Sequence, residues 1–455
     1  MGGGLAGMAC AAALVGRGLH VELFEGRKKL GGRAGSYLDR ESGESIDHCQ
    51  HVAMGCCTNF LDFCRRTQID TLFTQQKTLH FFGPDGQRCD FTAGGWWPAP
   101  LHLMGPLMGL KYLTLSDKAS IAKGMLSLVR SPAGDVAGGA TVGDWLRQQK
   151  QSERAIERFW KVVLVSALAE SLERASLAAA RKVFVDGFLA HRDAADLWIP
   201  KVSLDELYQG SVRKWLVEQG VRVHLESSIA GLVGNRNGIE SLRLADESTA
   251  EFDNIVLAVP WMRVAKLLPK DLQDVIDPEQ NIGTIGAAPI SSVHLWFDRA
   301  IMNLPNAILV ERLSQWVFAR SFAENRQEHY YQVVISASHD LAGRERGPIV
   351  EEVRRDLCLM FPATAEAKLL RSKVITDDQA VFAVTPGLEL RRPAQRTMVG
   401  NLFLAGDWTN TGWPATMEGA VRSGYLAAEG VLERLGRPEM FVRPDLKRNW
   451  LTQWL

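Results

Sequence analysis

The chain opens "MGGGLAGMACAAALVGRGLHVELFE", with Gly2, Gly4 and Gly7 at the spacing G-x-G-x-x-G and Glu25 at the end of an apolar run. Few features restrict a fold as strongly. The glycines of such a loop permit a tight turn, a close approach of a pyrophosphate to the backbone, and close packing of helix on strand. The helix that starts at Leu5, Ala6 and Gly7 offers free N–H groups to an anion. A carboxylate at Glu25, ending the next strand, accepts hydrogen bonds from ribose hydroxyls. Taken alone, the stretch also fits a Gly-rich leader before an ordinary helix. "KKLGGRAGSY" decides for a nucleotide site: Gly31 and Gly32 allow backbone approach, and Arg33 supplies a fixed cation.

The remaining chain predicts an α/β fold with a Rossmann-like core assembled from distant parts. "LAGMACAAALVGRG" reads as a helix ending at Gly16 or Gly18, and "HVELFE" as a strand. "SLDELYQGSVRKWLVEQG" reads as a helix, "VRVHLESSIAGLV" as a strand and "NIVLAVP" as a buried parallel strand. "NLFLAGDWTNTGWPATMEGAVRSGYLAAEGVLERLG" reads as strand, loop and helix. Residues 1–60, 201–265 and 395–436 are expected to form the cofactor domain. Residues 61–200 and 266–394 are expected to form an inserted α+β substrate domain, with 437–455 as a tail. A first strand is missing from this pattern, and an apolar strand is expected to precede Gly2 in the full reading frame.

At 455 residues, more than one core is expected. The net charge is zero, which argues against nucleic acid as a main partner. Seven cysteines, an odd number without a C-x-x-C pair, suggest neither a disulfide framework nor a zinc site, so no metal is expected. A reducing, cytoplasmic setting is the default reading.

The motifs together resemble the flavin-containing amine oxidase and carotenoid desaturase superfamily. "GGGLAG…LFE…LGGRAGS" is similar to its N-terminus and "NLFLAGDWTNTGWPATMEGAVRSG" to its C-terminal signature. The resemblance implies FAD. It implies contacts from Gly406 and Asp407 near the ribityl and pyrophosphate, from the helix start at Thr416 and Met417 near the flavin ring, and from Ile229 near the adenine. Within the superfamily, "IDHCQHVAMG" resembles the D-N-G-Q-H stretch of squalene-associated desaturases, the hydroxysqualene dehydroxylases. Asp47, Gln50 and His51 match; His48 and Cys49 depart. This implies reductive dehydroxylation of hydroxysqualene to squalene, with an electron donor not identified by the sequence. Asp47, Gln50 and His51 are the catalytic candidates, His51 as general acid and Gln50 as an orienting group. Residues of these types also serve as caps or backbone partners, so their roles stay open at this point.

Rival readings are weighed by single positions. Amine oxidases are expected to carry an aromatic residue where Thr416 stands. A carotenoid or polyprenyl desaturase is the nearer alternative. A non-catalytic prenyl-binding role, as in the Rab escort and GDP-dissociation-inhibitor proteins, fits poorly with the retained Gly2, Gly4, Gly7, Glu25, Arg33 and Asp407. A hydrophobic isoprenoid substrate also implies contact with a membrane, expected here at its inner face. "FTAGGWWPAPLHLMGPLMGL" is uncharged and interrupted by Pro and Gly, so an interfacial loop carrying Trp96 and Trp97 is expected, or a lid over a substrate channel. "LSDKASIAKGMLSLVRS" reads as a surface-lying helix with Lys118, Lys123 and Arg130 outward. Trp450, Leu451, Trp454 and Leu455 form a second candidate anchor.

Overall fold

A computed structural model describes residues 1–40, 43–94, 97–131, 139–320 and 328–448. Two parallel ladders form the Rossmann-like core. Glu22–Phe24 pairs with Arg222–His224, and Ile255–Leu257 pairs with Leu402–Leu404. The first residues run between the two ladders. Gly2 N–H donates to Phe24 O at 2.8 Å, and Ala258 N–H donates to Met1 O at 2.8 Å. One hydrogen-bonded path therefore joins segments from the beginning, middle and end of the chain.

The first helix, Leu5–Leu14, is buried along its whole length. Its small side chains let the last helix, Met417–Arg434, cross it closely. A Cβ on Gly424 would sit 2.2 Å from Ala6 O and 3.0 Å from Cys10 N. The first helix stops at Leu14, just short of the expected glycines, and Gly16 and Gly18 then take the left-handed region. The helix expected over 203–220 is a π-helical segment, Asp205–Val212, continuing as the α-helix Arg213–Glu218. The strand expected over 221–233 is two strands, Arg222–His224 and Ile229–Asn235. Glu226, at φ +55°, turns the chain between them, and its N–H donates to Arg27 O.

A seven-stranded sheet forms the other half. Its order is Leu369–Phe382, Ala287–Phe297, His329–Ser336, Trp316–Arg320, Asn306–Leu309, Thr78–Phe82 and Arg88–Thr92. Neighbours are antiparallel except Asn306–Leu309 beside Thr78–Phe82. Both inserted segments thus contribute strands to one sheet. Side chains alternate between its faces. Val293, Leu295, Val317 and Val333 face the helix Arg346–Met360, through Ile349, Val353 and Leu357. The opposite face carries Ser292, His294, Gln332, Phe318 and Arg320, turned toward the segment after Ser45–Asp47.

The helices of the first insertion pack on an aromatic cluster. Trp145, Phe159, Trp160 and Phe184 meet at centroid distances of 5.1–6.1 Å. Two π-helical turns, Ile156–Trp160 and Lys182–Phe188, supply three of these rings. The helix Leu115–Arg130 starts with a Thr114–Asp117 capping box. Lys123 and Arg130 lie on its exposed face, as expected, but Lys118 does not. Lys118 is buried, and its Nζ donates to Met108 O at 2.7 Å. It sits one turn from Ile121 on the inward stripe, so its stem packs inside and its charge meets a free helix-end carbonyl. Trp96, Trp450, Leu451, Trp454 and Leu455 lie outside the described residues. Among the described residues, no helix is long and apolar enough to cross a membrane.

The close helix crossing generates a test. Gly424→Val forces side-chain atoms into the Ala6 and Cys10 backbone, and overpacking of this kind costs about 1–3 kcal/mol. Thermal unfolding should shift down, because the displaced element is the first helix itself.

Candidate cofactor and active site

The glycine loops meet backbone to backbone. Gly31 N–H donates to Gly3 O at 2.9 Å, and a Cβ on Gly32 would lie 3.0 Å from Gly4 Cα. Gly2, at φ +100°, presses on Ala258 O, and a Cβ on Gly7 would be 1.9 Å from Gly2 O. Gly4 is the first helix's N-cap and makes no side-chain cap, and the first turn holds no acidic residue. Its amides are therefore directed at an open cradle, the chemistry an anionic pyrophosphate requires. Glu25 flanks this cradle: Oε2 accepts from Gly3 N–H and Oε1 from Arg27 N–H, both at 2.8 Å. Ser227 N–H donates to Glu25 O, which brings the strand beginning at Ile229 beside the same edge.

Arg33 crosses to the far end of the chain. Its guanidinium pairs with the buried Asp407 carboxylate and donates to Ala380 O at 3.2 Å. Gly406 N–H donates to Ser423 Oγ at 2.8 Å, which fixes the turn on the last helix. That helix is capped by Thr416, whose Oγ1 accepts from Gly419 N–H. Thr416 and Met417 are half-buried, and Tyr208 Oη lies 3.8 Å from Met417 Sδ. The structure thus brings together Gly2, Gly4, Leu5, Ala6, Gly7, Glu25, Gly32, Arg33, Asp407 and, along one helix start, Thr416 and Met417. A dinucleotide with a long polar linker fits this donor set.

The three catalytic candidates separate into different environments. Asp47 is buried, with Oδ2 paired to Arg320 at 2.9 Å; both side chains are 2% exposed. Its Oδ1 accepts from Ser36 Oγ and from Leu204 N–H. The carboxylate is buried and ties together the segments of Ser36, Leu204 and Arg320. Gln50 donates to His51 O at 3.0 Å, while its Oε1 is buried with no partner among the described residues. His51 is half-buried, and its Nδ1 lies 3.0 Å from Cys49 O. A carbonyl only accepts, so Nδ1 carries the proton and Nε2 presents a lone pair. Burial pulls its pKa below the usual 6.5, and Arg33 lies within electrostatic reach. His51 therefore stands as a neutral ring.

Sequence reasoning missed the groups that shape this site from behind. Arg392 is buried and feeds the loop after Gly406: its guanidinium donates to Asp407 O (2.7 Å), Trp408 O (3.3 Å), Thr409 O (2.5 Å) and Trp413 O (2.8 Å). Glu418 is buried in the first turn of the last helix, and accepts from Asn59 and Phe60 N–H at 3.0 and 2.8 Å. Burial pushes its pKa up. Nothing in the local pattern "LELRRPAQR" separates Arg392 from its neighbours.

The profile of the flavin containing amine oxidoreductase family matches residues 5–432. Among curated proteins, the chain is 26% identical over 450 residues to 15-cis-phytoene desaturase of Solanum lycopersicum, covering 95% of this chain and 77% of that one. It is 24% identical over 493 residues to zeta-carotene desaturase of Synechocystis sp., covering 97% and 98%. Among solved structures, an oxidoreductase from Methanosarcina mazei superposes with TM-score 0.70 at 16% identity, over 95% of this chain and 98% of that one. Putrescine oxidase bound to putrescine superposes with TM-score 0.70 at 14% identity, over the same shares. These structural likenesses concern the fold.

Arg392 provides the test of this geometry. In Arg392→Met, several buried carbonyls lose their donor, each at about 1–3 kcal/mol. The expected outcome is a strong loss of stability in urea unfolding together with loss of yellow colour on gel filtration. Arg392→Lys should recover only part of both, since an ammonium cannot span the same carbonyls.

Proposed function

The chain belongs to the flavin-containing amine oxidoreductase family, and from that premise we propose that it is an FAD-dependent oxidoreductase that reductively dehydroxylates hydroxysqualene to squalene. The observation that carries this reading is the segment from Asp47 to His51, in which Gln50 Oε1 is buried without a partner among the described residues and His51 Nε2 carries a lone pair. An alcohol gives such groups a partner; a hydrocarbon gives them none.

The FAD pyrophosphate would be held by the amides of Leu5, Ala6 and Gly7 and by Arg33, with Gly2, Gly4 and Gly32 admitting it. Glu25 would take the adenosine ribose, Ile229 the adenine, and Asp407 with Gly406 the ribityl side. The backbone at Thr416 and Met417 would face the ring. Bound FAD supplies two-electron hydride chemistry. The carbon–oxygen bond of an allylic alcohol breaks when its oxygen gains a proton and leaves as water. The protein's part is to deliver that proton, to orient the hydroxyl and to exclude bulk water. Gln50 is placed to orient it. His51 can donate only after Nε2 is protonated, because its Nδ1 proton is committed to Cys49 O. Asp47 acts one step back, tying the segment to Arg320 and to the helix after Leu204.

A second reading is favoured by the curated relatives, which are named as carotenoid desaturases. Desaturation removes hydride and proton from a hydrocarbon and makes no demand for an orienting group at Gln50. Product analysis separates the two: anaerobic incubation with reduced flavin and hydroxysqualene should yield squalene, whereas quinone-driven oxidation of phytoene would support desaturation. His51 gives a finer test. Its depressed pKa predicts that dehydroxylation rises as pH falls below about 6.5 and is slow above it. His51→Ala should remove that rise and lower the rate about 10²–10⁴-fold, with FAD retained. A pH profile unchanged by the substitution would exclude His51 as the acid.

Access to such a substrate would come through a membrane-facing surface. Trp97, Met104, Met108 and Leu115 are 64%, 58%, 49% and 71% exposed. Lys111, Lys123 and Arg130 are exposed around them, and Asp117, the sole acid from 97 to 131, is buried in the capping box. The face therefore presents apolar side chains ringed by uncompensated cations, which suits the inner, anionic leaflet. Each large side chain seated in the interface contributes up to about 1.5–3 kcal/mol, and each cation about 1 kcal/mol. The protein should sediment with vesicles containing phosphatidylserine and release in part at high salt. Replacing Trp97, Met104, Met108 and Leu115 by Ser should abolish sedimentation while turnover of detergent-dispersed substrate survives; loss of turnover with sedimentation intact would mark the segment as an internal lid.

A further inference from the structure

The tail after the last helix is stitched to four separate elements. Glu439 pairs with Arg17 behind the first helix. The N–H groups of Phe441 and Val442 donate to Glu429 on the last helix, at 2.6 and 2.8 Å. Arg443 exchanges backbone hydrogen bonds with the Asn59 side chain and pairs with Asp62 at 2.7 Å, both on Thr58–Arg66. Arg448 pairs with Asp186 at 2.6 Å, on the π-helical turn Lys182–Phe188. This segment has no part in the nucleotide motifs, yet it spans the cofactor half and the inserted half.

Asp445 is the junction. Its Oδ2 accepts from Lys182 Nζ at 2.7 Å, and its Oδ1 accepts from Trp413 Nε1 at 3.3 Å and from Arg422. Lys182 and Arg422 also stand over the Trp413 ring, at 4.7 and 5.6 Å from its centroid. Lys182 reaches Asp186 at 3.2 Å, and Arg422 reaches Glu418 at 3.3 Å. The result is one chain of alternating charge: Arg448, Asp186, Lys182, Asp445, Arg422, Glu418. One end lies on the turn that carries Phe184 and Phe188 into the aromatic cluster. The other end lies in the first turn of the last helix, next to Thr416 and Met417. Trp413, buried in the middle, is three residues before Thr416 and is held from behind by Arg392. The charges in the middle of this chain are mostly shielded: Lys182 and Arg422 side chains are 19% and 13% exposed. Pairs so placed are screened less by salt than surface pairs.

We propose that Asp445 is a positioning residue that sets the spacing between the Lys182–Phe188 turn and the Trp413–Met417 segment, and through it the fit of an isoprenoid chain against the flavin. The proposal rests on the placement of the flavin at Thr416 and Met417, and not on which isoprenoid reacts. Its mechanical content is that the two elements, which also touch where Lys182 stands over the Trp413 ring, are held in register by one carboxylate that accepts from both. Loosening one should loosen the other.

Hydrogen exchange on the FAD-loaded enzyme reads this directly. Asp445→Asn keeps the shape and removes the charge. Amide exchange should speed up about tenfold or more both in 182–188 and in 413–419, while the first helix, Leu5–Leu14, stays protected. Lys182→Met removes one arm together with its place over the Trp413 ring and leaves the Arg422–Asp445 pair; it should speed exchange in 413–419. Asp445→Glu should restore protection in both segments. Squalene in detergent, as a chain probe, should perturb the flavin visible band less in Asp445→Asn than in the parent, at equal flavin content. Faster exchange confined to 441–448, or an unchanged 413–419 segment in Lys182→Met, would overturn the proposal. Where Asp445→Asn fails to retain FAD, Lys182→Met decides alone. Failure of the hydroxysqualene reading would leave all these exchange results untouched.

Discussion

Three chain segments, far apart in sequence, meet backbone to backbone around the start of the first helix. Gly7 lies against Gly2 O, Gly32 against Gly4 Cα, and Gly424 against Ala6 O. No side chain fits at any of the three contacts. Close approach here does two things at once. It closes the packing of the first helix against the last, and it leaves bare amides at the helix start, where an anion can reach them. The rest of the cofactor half is arranged around that point. Residues 1 and 2 bridge the parallel ladders, Glu25 closes one side, and Arg33 reaches across to Asp407 on the other.

Charges buried behind the cradle then fix the loops that glycine leaves free. Asp47 with Arg320, Glu418 with Asn59, and Arg392 with the carbonyls after Gly406 each join elements that have no sheet or helix in common. Desolvation offsets much of the attraction in such pairs, so their net contribution to stability is small. Breaking one costs far more, about 3–5 kcal/mol, because its partner stays buried. Their effect is therefore on shape. A loop whose four backbone carbonyls accept from one rigid guanidinium has few alternative conformations, and this is the loop that leads from Asp407 to Trp413.

The local half of this arrangement is legible in the sequence because local rules govern it. Glycine spacing, the small residues of the first helix and the Gly-Asp turn each specify a backbone shape within a few residues. The buried partners are not legible, because they are chosen by tertiary contact. Asp47 and Arg320 stand 273 residues apart, and Asn59 and Glu418 stand 359 apart. Lys118 misleads for a related reason. Helical periodicity puts it on the stripe with Ile121, but a lysine there is expected to turn outward until a carbonyl such as Met108 O is known to wait inside. The strand read over 221–233 breaks at Glu226, a non-glycine residue in the left-handed region. The carbonyls of Arg27 and Glu25, which accept from Glu226 and Ser227 N–H, hold that turn, and they lie far back in the chain.

The polar groups of Gln50 and His51 bear on the proposed choice between an alcohol and a hydrocarbon as substrate. A buried acceptor without a partner costs roughly 1–3 kcal/mol, and Gln50 Oε1 is such an acceptor among the described residues. His51 Nε2 adds a second lone pair in the same region, since its ring is fixed by Cys49 O. On the proposed reading, these two acceptors are the groups that an O–H would meet. A hydroxyl donates to one of them and, once the imidazole takes a proton, accepts from the other. The same reasoning explains why burial of His51 is useful rather than damaging. A ring kept neutral at rest repels neither Arg33 nor an incoming apolar chain, and a proton it acquires is held weakly and given up readily.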